Sequence, residues 1–424
     1  RPQHRVPART PNPRHAMHSA GAPCSAPAAP RPAVELANIV RLHAEALRQR
    51  RALTPEQHAT LRAIERCRTA ALGGHLDVCA RCGHERPTYN SCRNRHCPKC
   101  QALAQARWVH ERSARLLPVP YFHVVFTLPA ELRVVAKLNR RAVFDAMFAA
   151  AGATLVELGL DPKRLGGLLG VTAVLHTWRR DLAFHPHIHC IVTGGGWSAV
   201  EQRWLPARAG YLLPVAVLGS LFRGKLLAAL GALHDAGKLR LPGEPGPVDP
   251  EGFARLCATL RRKRWHVYCK PPFGGPEQVL RYLGRYTHRV GISNRRLLSL
   301  DERGVSFRTK DGKVATLSPV AFLERFVEHV LPAGFVKIRH YGLLAPSNIP
   351  AAFAEARAAL AAPSPSTADE AMGTKHDTED EARDWRAVLL ELTGTDLTLC
   401  PACGARAMLR RPLAAARAPP AEAA

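Results

Sequence analysis

Phe184-His185-Pro186-His187-Ile188-His189-Cys190-Ile191-Val192-Thr193 is the stretch on which the fold turns. Its aromatic and β-branched residues favour a strand, and the following Gly194-Gly195-Gly196 reads as the strand's end. Successive strand side chains point to opposite faces, so His187 and His189 share a face while Ile188 is directed to the core. Two imidazoles side by side suit a divalent cation that keeps open positions. They also suit the plainer role of hydrogen-bonded structural histidines, since the chain has 20 histidines.

Outward from that strand the texture alternates. Residues 121–128, 170–176 and 265–270 read as further strands, with short strands through 295–318. Helical periodicity runs through 34–64 as two helices. The second starts at Thr54-Pro55-Glu56-Gln57, with a cap and a proline at its first position. Further helices are expected over 101–117, 130–158, 214–236, 276–288 and 320–330. Strands and helices without strict βαβ alternation predict an α+β fold with a mostly antiparallel sheet. The domain reading is a disordered segment over 1–33, which has no hydrophobic period, and a zinc-binding, DNA-binding domain over 34–118. A catalytic domain over 119–350, an acidic Pro/Ser linker over 351–384 and a C-terminal tail over 385–424 follow.

The chain has 424 residues, with 60 Lys and Arg against 34 acids and a formal charge of +26. That length excludes a single small module, and that charge implies a polyanionic partner, nucleic acid by default. No run reaches the ~18 uninterrupted apolar residues of a spanning helix, and the Arg/Pro-rich start has no apolar signal core. A soluble, unexported, cytoplasmic protein without membrane or small-molecule partners is expected.

Six of the 12 cysteines lie between Cys67 and Cys100. In a reduced compartment such clustering implies metal rather than disulfides. Cys79-x-x-Cys82 and Cys97-x-x-Cys100 together make the four-thiolate set of a structural Zn²⁺, with Cys67, His75, Cys92 and His96 as donors for a second ion. Arg81, Arg86, Arg93, Arg95 and Lys99 are interleaved among them and make a basic surface suited to phosphates. A lone Cys400-Pro401-Ala402-Cys403 near the end looks like half a ribbon.

Tyr282 and Tyr286 stand four residues apart on the helix expected over 276–288, hence on one face. Packing is the ordinary role for such a pair. Here Arg281, Arg285, His288 and Arg289 surround them, a cationic setting that favours phenolate character and a bound phosphodiester together.

The histidine strand, the tyrosine pair and the basic zinc segment together resemble the HUH endonucleases, most closely the rolling-circle transposases of the insertion sequence 91 family. The resemblance spans about residues 34–350 and is carried by four motifs in order. They are Cys92-Arg93-Asn94-Arg95-His96-Cys97-Pro98-Lys99-Cys100-Gln101, residues 121–129, residues 185–196, and Tyr282-Leu283-Gly284-Arg285-Tyr286-Thr287-His288-Arg289. It implies nicking of single-stranded DNA at element ends by a tyrosine oxygen. The products are a 5′-phosphotyrosine and a free 3′-hydroxyl. His187 and His189 would hold Mg²⁺ or Mn²⁺, with His185 or Gln278 as third ligand. Tyr282 and Tyr286 would act in turn, Tyr341 beside His340 being the reserve nucleophile. Arg93, Arg95, Lys99, Arg285 and Arg289 would contact DNA, and Arg261, Arg262, Lys263 and Arg264 would track the single strand. A rolling-circle replication initiator or relaxase would share this chemistry. A non-catalytic zinc-dependent DNA-binding protein would leave the histidines and tyrosines idle.

Overall fold

The computed structural model describes residues 34–113, 115–242, 250–271, 284, 291–361, 390 and 396–416. Tyr282, Tyr286, Gln278, Arg285 and Arg289 lie outside the described residues, as does the segment 1–33. The elements below belong to one compact unit, Pro32–Asp380 with Thr398–Ala424.

At its centre is an antiparallel sheet in the order β11(Ile338–Gly342), β4(Leu168–Trp178), β5(Phe184–Ser198), β3(Tyr121–Thr127), β7(Val267–Lys270). β6(Arg203–Pro206) pairs with the far end of β5. The expected α+β class with antiparallel pairing is what the chain adopts. One sheet face carries Phe122, Val124, Phe126, Ala173, Leu175, Ile188, Cys190 and Val192. It packs on Phe144, Phe148 and Leu155 of α5(Arg140–Leu160), on Phe222 and Leu226 of α6(Val215–Asp235) and on Leu260 of α7(Pro250–Arg262). Each of these helices has 21 residues and is long and apolar enough to cross a membrane by length and composition. Here both contribute their apolar side chains to the core over the sheet.

The other face holds the odd-numbered residues of β5, and one end of it is apolar. There Tyr121, Val174 and Ile191 pack with Trp108 of α3(Gln101–Ser113), Leu343, Phe353 and Ala356. Phe353 and Ala356 belong to the start of the segment expected as linker. That start is instead helical, through Ile349–Phe353 and α9(Ala354–Ala361), because it covers this end of the sheet.

A separate core joins α1(Leu36–Arg50), α2(Pro55–Arg66), Cys67 and Cys97 to a small sheet and to α8(Pro319–Val327). That sheet has the order β10(Val314–Leu317), β9(Gly304–Arg308), β8(Leu297–Asp301). α2 begins as its sequence demands: Thr54 and Gln57 form a reciprocal capping box, with Pro55 at the first turn. Buried Gln57 then donates to the Val327 carbonyl at 2.9 Å, tying α2 to α8. The amino-terminal helices therefore share their core with residues 292–330, across the boundary expected at 118.

Two expectations differ in detail. The helix expected over 130–158 breaks at Asn139, whose backbone (φ −127°, ψ 47°) is not helical. Its side-chain amide donates to the Val135 carbonyl at 2.9 Å and the Arg240 carbonyl at 2.7 Å, so α4(Arg133–Leu138) and α5 are separate. Gly194, Gly195 and Gly196 do not end β5, which continues to Ser198. A Cβ on Gly196 would lie 2.5 Å from the Gly167 backbone, so the glycines permit a close backbone approach rather than a turn.

Candidate active site and cysteine clusters

His187 and His189 emerge on one face of β5, as the alternation demands. Antiparallel register adds histidines from both neighbours. His176 of β4 stands directly opposite His187. His123 of β3, two residues from the Val125 that pairs with His189, reaches back to that residue. The ligand nitrogens of His176, His187 and His189 all lie within 4.8 Å of one another. His123 Nε2 and His189 Nδ1 are 2.8 Å apart, with the rings stacked at 5.0 Å. Trp178 stacks on His176 at 4.6 Å.

The tautomer of His187 follows from its partner. Its Nδ1 is 2.6 Å from the His185 carbonyl, which can only accept, so Nδ1 carries the proton and Nε2 the lone pair. Burial pushes His187 and His123 down to about 4 and His189 well below the ordinary histidine range. Neutral imidazoles are the donor set that a divalent cation requires. His123 stands behind His189, where an outer partner fixes a ligand ring.

The site residues expected from sequence are placed as follows. His187 and His189 come together. His185 does not join them: Pro186 interrupts the strand's donors there, and the His185 ring turns to Arg133, whose Nη2 lies 3.0 Å from Nδ1. It lines a cleft with Arg133, Lys263, Arg264 and His266. His176 takes the third place in the cluster. The strand pattern Thr172-x-Val174-x-His176 was available in sequence, but which strand lay opposite was not. Tyr341 pairs with Val171 and lies over Gly152 of α5, on the helix-covered face. The reserve nucleophile therefore faces away from the histidines. Gln278 and the two tyrosines lie outside the described residues. Gly284, between the tyrosines in sequence, is helical and buried, and a Cβ there would come 2.6 Å from Val109 Cγ2 of α3.

The cysteines divide differently from the expected set. Cys67, Cys92, Cys97 and Cys100 form one four-thiol cluster, with Sγ–Sγ distances of 3.3 Å from Cys67 to Cys100 and 3.6 Å from Cys92 to Cys100. Hydrogen bonding from Cys67, Cys92 and Cys97 pushes the Cys100 thiol far down, while Cys100 pushes Cys97 up. Cys79 and Cys82 belong to a second cluster with Cys400 and Cys403. The two C-x-x-C turns assigned to one ion are thus apart, because Cys79 closes β1(Gly74–Cys79) while Cys97 and Cys100 belong to the loop leading into α3. His75 pairs along β1 and His96 accepts from the Leu331 amide at 3.2 Å, so neither joins a thiol cluster.

Of the expected DNA contacts, Arg93 is exposed, with a left-handed backbone (φ 53°). Arg95 donates to the Phe335 carbonyl at 2.6 Å and Lys99 pairs with Glu35, so both also serve the fold.

Residues 39–128 match a family model described as "Transposase zinc-binding domain", and residues 170–351 match one described as "Putative transposase". The chain is 45% identical over 380 residues to "Putative transposase y4qJ" of Sinorhizobium fredii, covering 87% of this chain and 92% of that protein. It is 30% identical over 301 residues to the transposase for insertion sequence element IS801 of Pseudomonas savastanoi pv. phaseolicola, covering 66% and 68%. A zinc-binding module followed by a histidine-bearing sheet is thus that of a DNA transposase. The chain belongs to the insertion sequence 91 family of these enzymes.

Proposed function

We propose that the protein nicks and rejoins single-stranded DNA at the ends of its element, driving rolling-circle-type transposition through a 5′-phosphotyrosine. The observation that carries this reading is the convergence of His176, His187 and His189 on adjacent strands, with His123 behind. A Mn²⁺ or Mg²⁺ ion held there would act as a Lewis acid on the scissile phosphate, and the all-imidazole donor set matches Mn²⁺ better than Mg²⁺.

The chain's own groups do the rest. The His185 carbonyl fixes the His187 tautomer, and His123 fixes the His189 ring. Arg133 and the cations of the cleft beside His185 give the DNA backbone a cationic wall. Tyr282 or Tyr286 supplies the nucleophile. Its oxygen bonds to phosphorus, the 3′-oxygen of the preceding nucleotide leaves and takes up a proton, and a 5′-phosphotyrosine remains. The reverse attack by a 3′-hydroxyl restores the diester without ATP. The seat of Gly284 against α3 supports this role, because Trp108 on that helix packs on the histidine face of the sheet. The cluster Cys67, Cys92, Cys97 and Cys100 holds a structural zinc that orders the loop before α3.

The test is a covalent-adduct assay with labelled single-stranded oligonucleotides carrying the element's ends, with Mn²⁺, Mg²⁺ or chelator. An adduct is expected with metal, more with Mn²⁺. His187→Ala with His189→Ala should lose it, and so should His176→Ala, while DNA binding persists. Metal-dependent cleavage by the His187→Ala, His189→Ala protein would show that the histidines are structural.

A further inference from the structure

The cluster joining Cys79 and Cys82 to Cys400 and Cys403 draws half of its thiols from beyond the family matches, which end at residue 351. We propose that these four thiols bind a zinc ion of their own, so that a zinc ribbon is assembled from two segments more than three hundred residues apart in the chain. The inference does not depend on the nicking chemistry.

Three observations carry it. First, the sulfurs converge without bonding. Cys79 Sγ is 3.7 Å from Cys403 Sγ, and Cys82 Sγ is 3.6 Å from Cys400 Sγ. A disulfide needs ~2.05 Å. A tetrahedral ion with Zn–S bonds of ~2.3 Å sets its ligands about 3.8 Å apart.

Second, the two halves are built alike. Cys79-Ala80-Arg81-Cys82-Gly83 and Cys400-Pro401-Ala402-Cys403-Gly404 are both C-x-x-C-G turns. The Gly83 amide donates to the Cys79 carbonyl at 2.9 Å, and the Gly404 amide to the Cys400 carbonyl at 2.9 Å. The Cys79 amide donates to the His84 carbonyl and the Cys400 amide to the Ala405 carbonyl, again both at 2.9 Å. The closing glycines sit at φ +70° and +69°, a left-handed conformation that glycine adopts at no steric cost. In each turn the amides of the third and fourth residues point at the first sulfur: Arg81 and Cys82 at Cys79, Ala402 and Cys403 at Cys400.

Third, the strands leading from these turns are locked in register. β12(Met408–Leu413) pairs antiparallel with β1, Cys79 opposite Met408 and Gly74 opposite Leu413, and β1 also pairs with β2(Glu85–Tyr89). Buried Asp77 on the middle strand receives Arg410 Nε of β12 at 2.7 Å and Arg86 Nη2 of β2 at 3.2 Å. All three strands are thus tied by one carboxylate. Beyond it, this small sheet has few buried side chains, so the clustered thiols take the place of a core. Among the described residues the set holds four thiols and no other donor, a composition that selects zinc.

The test uses the full chain. Elemental analysis of the purified protein should find two zinc ions per chain, falling to one in Cys400→Ser with Cys403→Ser. One zinc in the unmodified protein, two in the variant, or iron in place of zinc would overturn the proposal. Should the variant fold poorly, cysteine alkylation of the unmodified protein read by mass spectrometry decides the matter. Cys79, Cys82, Cys400 and Cys403 should be protected with zinc and become reactive together on chelation. Alkylation of Cys400 and Cys403 at rates indifferent to chelator would equally overturn it.

Discussion

Gly284→Ala tests whether the tyrosine segment is seated on α3. In an open helix this change stabilises by about 1 kcal/mol, because alanine is the better helix former. Here the new Cβ would lie 2.6 Å from Val109 Cγ2 and 3.4 Å from Gln105 Nε2. Gln105 can swing aside. Val109 cannot, since a β-branched side chain on a helix has essentially one χ1 rotamer. Overpacking of this kind costs about 1–3 kcal/mol, which outweighs the propensity gain and makes the net effect destabilising. Activity should suffer more than stability: a displacement of about 1 Å between nucleophile and phosphate can cost on the order of 10²-fold in rate. The assay pairs urea denaturation with single-turnover adduct formation. Val109→Ala removes the clashing methyl, so the double variant should regain both, with a coupling of about 0.5–3 kcal/mol in the cycle. A Gly284→Ala protein that is more stable than the parent and nicks at full rate would refute the contact and the seating built on it.

Two further outcomes are expected. Tyr282→Phe and Tyr286→Phe remove only a hydroxyl, so each should fold normally and form an adduct with one oligonucleotide but not complete strand transfer; an adduct in the double variant would place the nucleophile elsewhere. Acid should destabilise the fold through His329, which is wholly buried between Thr177 Oγ1 and the Leu182 carbonyl and pushed by burial down to about 3. Its unfolded form takes up a proton near pH 6.5 and its folded form does not, so the stability it confers is complete above about 6.5 and declines as pH falls towards 3. Urea midpoints between pH 7.5 and 5 should fall less steeply in His329→Gln, and equal slopes would count against this account.

The strands that build the candidate site were legible because their chemistry is local. Tyr121–Thr127 and Phe184–Ser198 declare themselves by β-branched and aromatic runs, and the face shared by His187 and His189 follows from alternation alone. Pairing is not local. His176 sits opposite His187, and His123 beside His189, only once β4 and β3 flank β5 in this register, and no periodicity within one strand specifies its neighbour. The thiols failed for the same reason. Cys79 and Cys82 have the spacing of half a site, and the nearer C-x-x-C, at Cys97 and Cys100, was the economical partner in sequence. Two other thiols, Cys67 and Cys92, claim that pair, and the tail supplies the remainder. Gly194-Gly195-Gly196 misled in a different way, because glycine serves close backbone approach as readily as it serves turns.

The pairing of Cys82 with Cys400 across 318 residues also orders events in time. During synthesis at ~5–20 residues per second, the first knuckle emerges roughly 15 to 60 s before its partner exists. For that interval β1 has one open edge and two unsatisfied thiols, while the whole histidine sheet is being made. Ribbon closure therefore follows the synthesis of the histidine sheet. A chain cut short anywhere between the sheet and Cys400 would carry His123, His176, His187, His189 and both tyrosines, yet could never close the module at its other end.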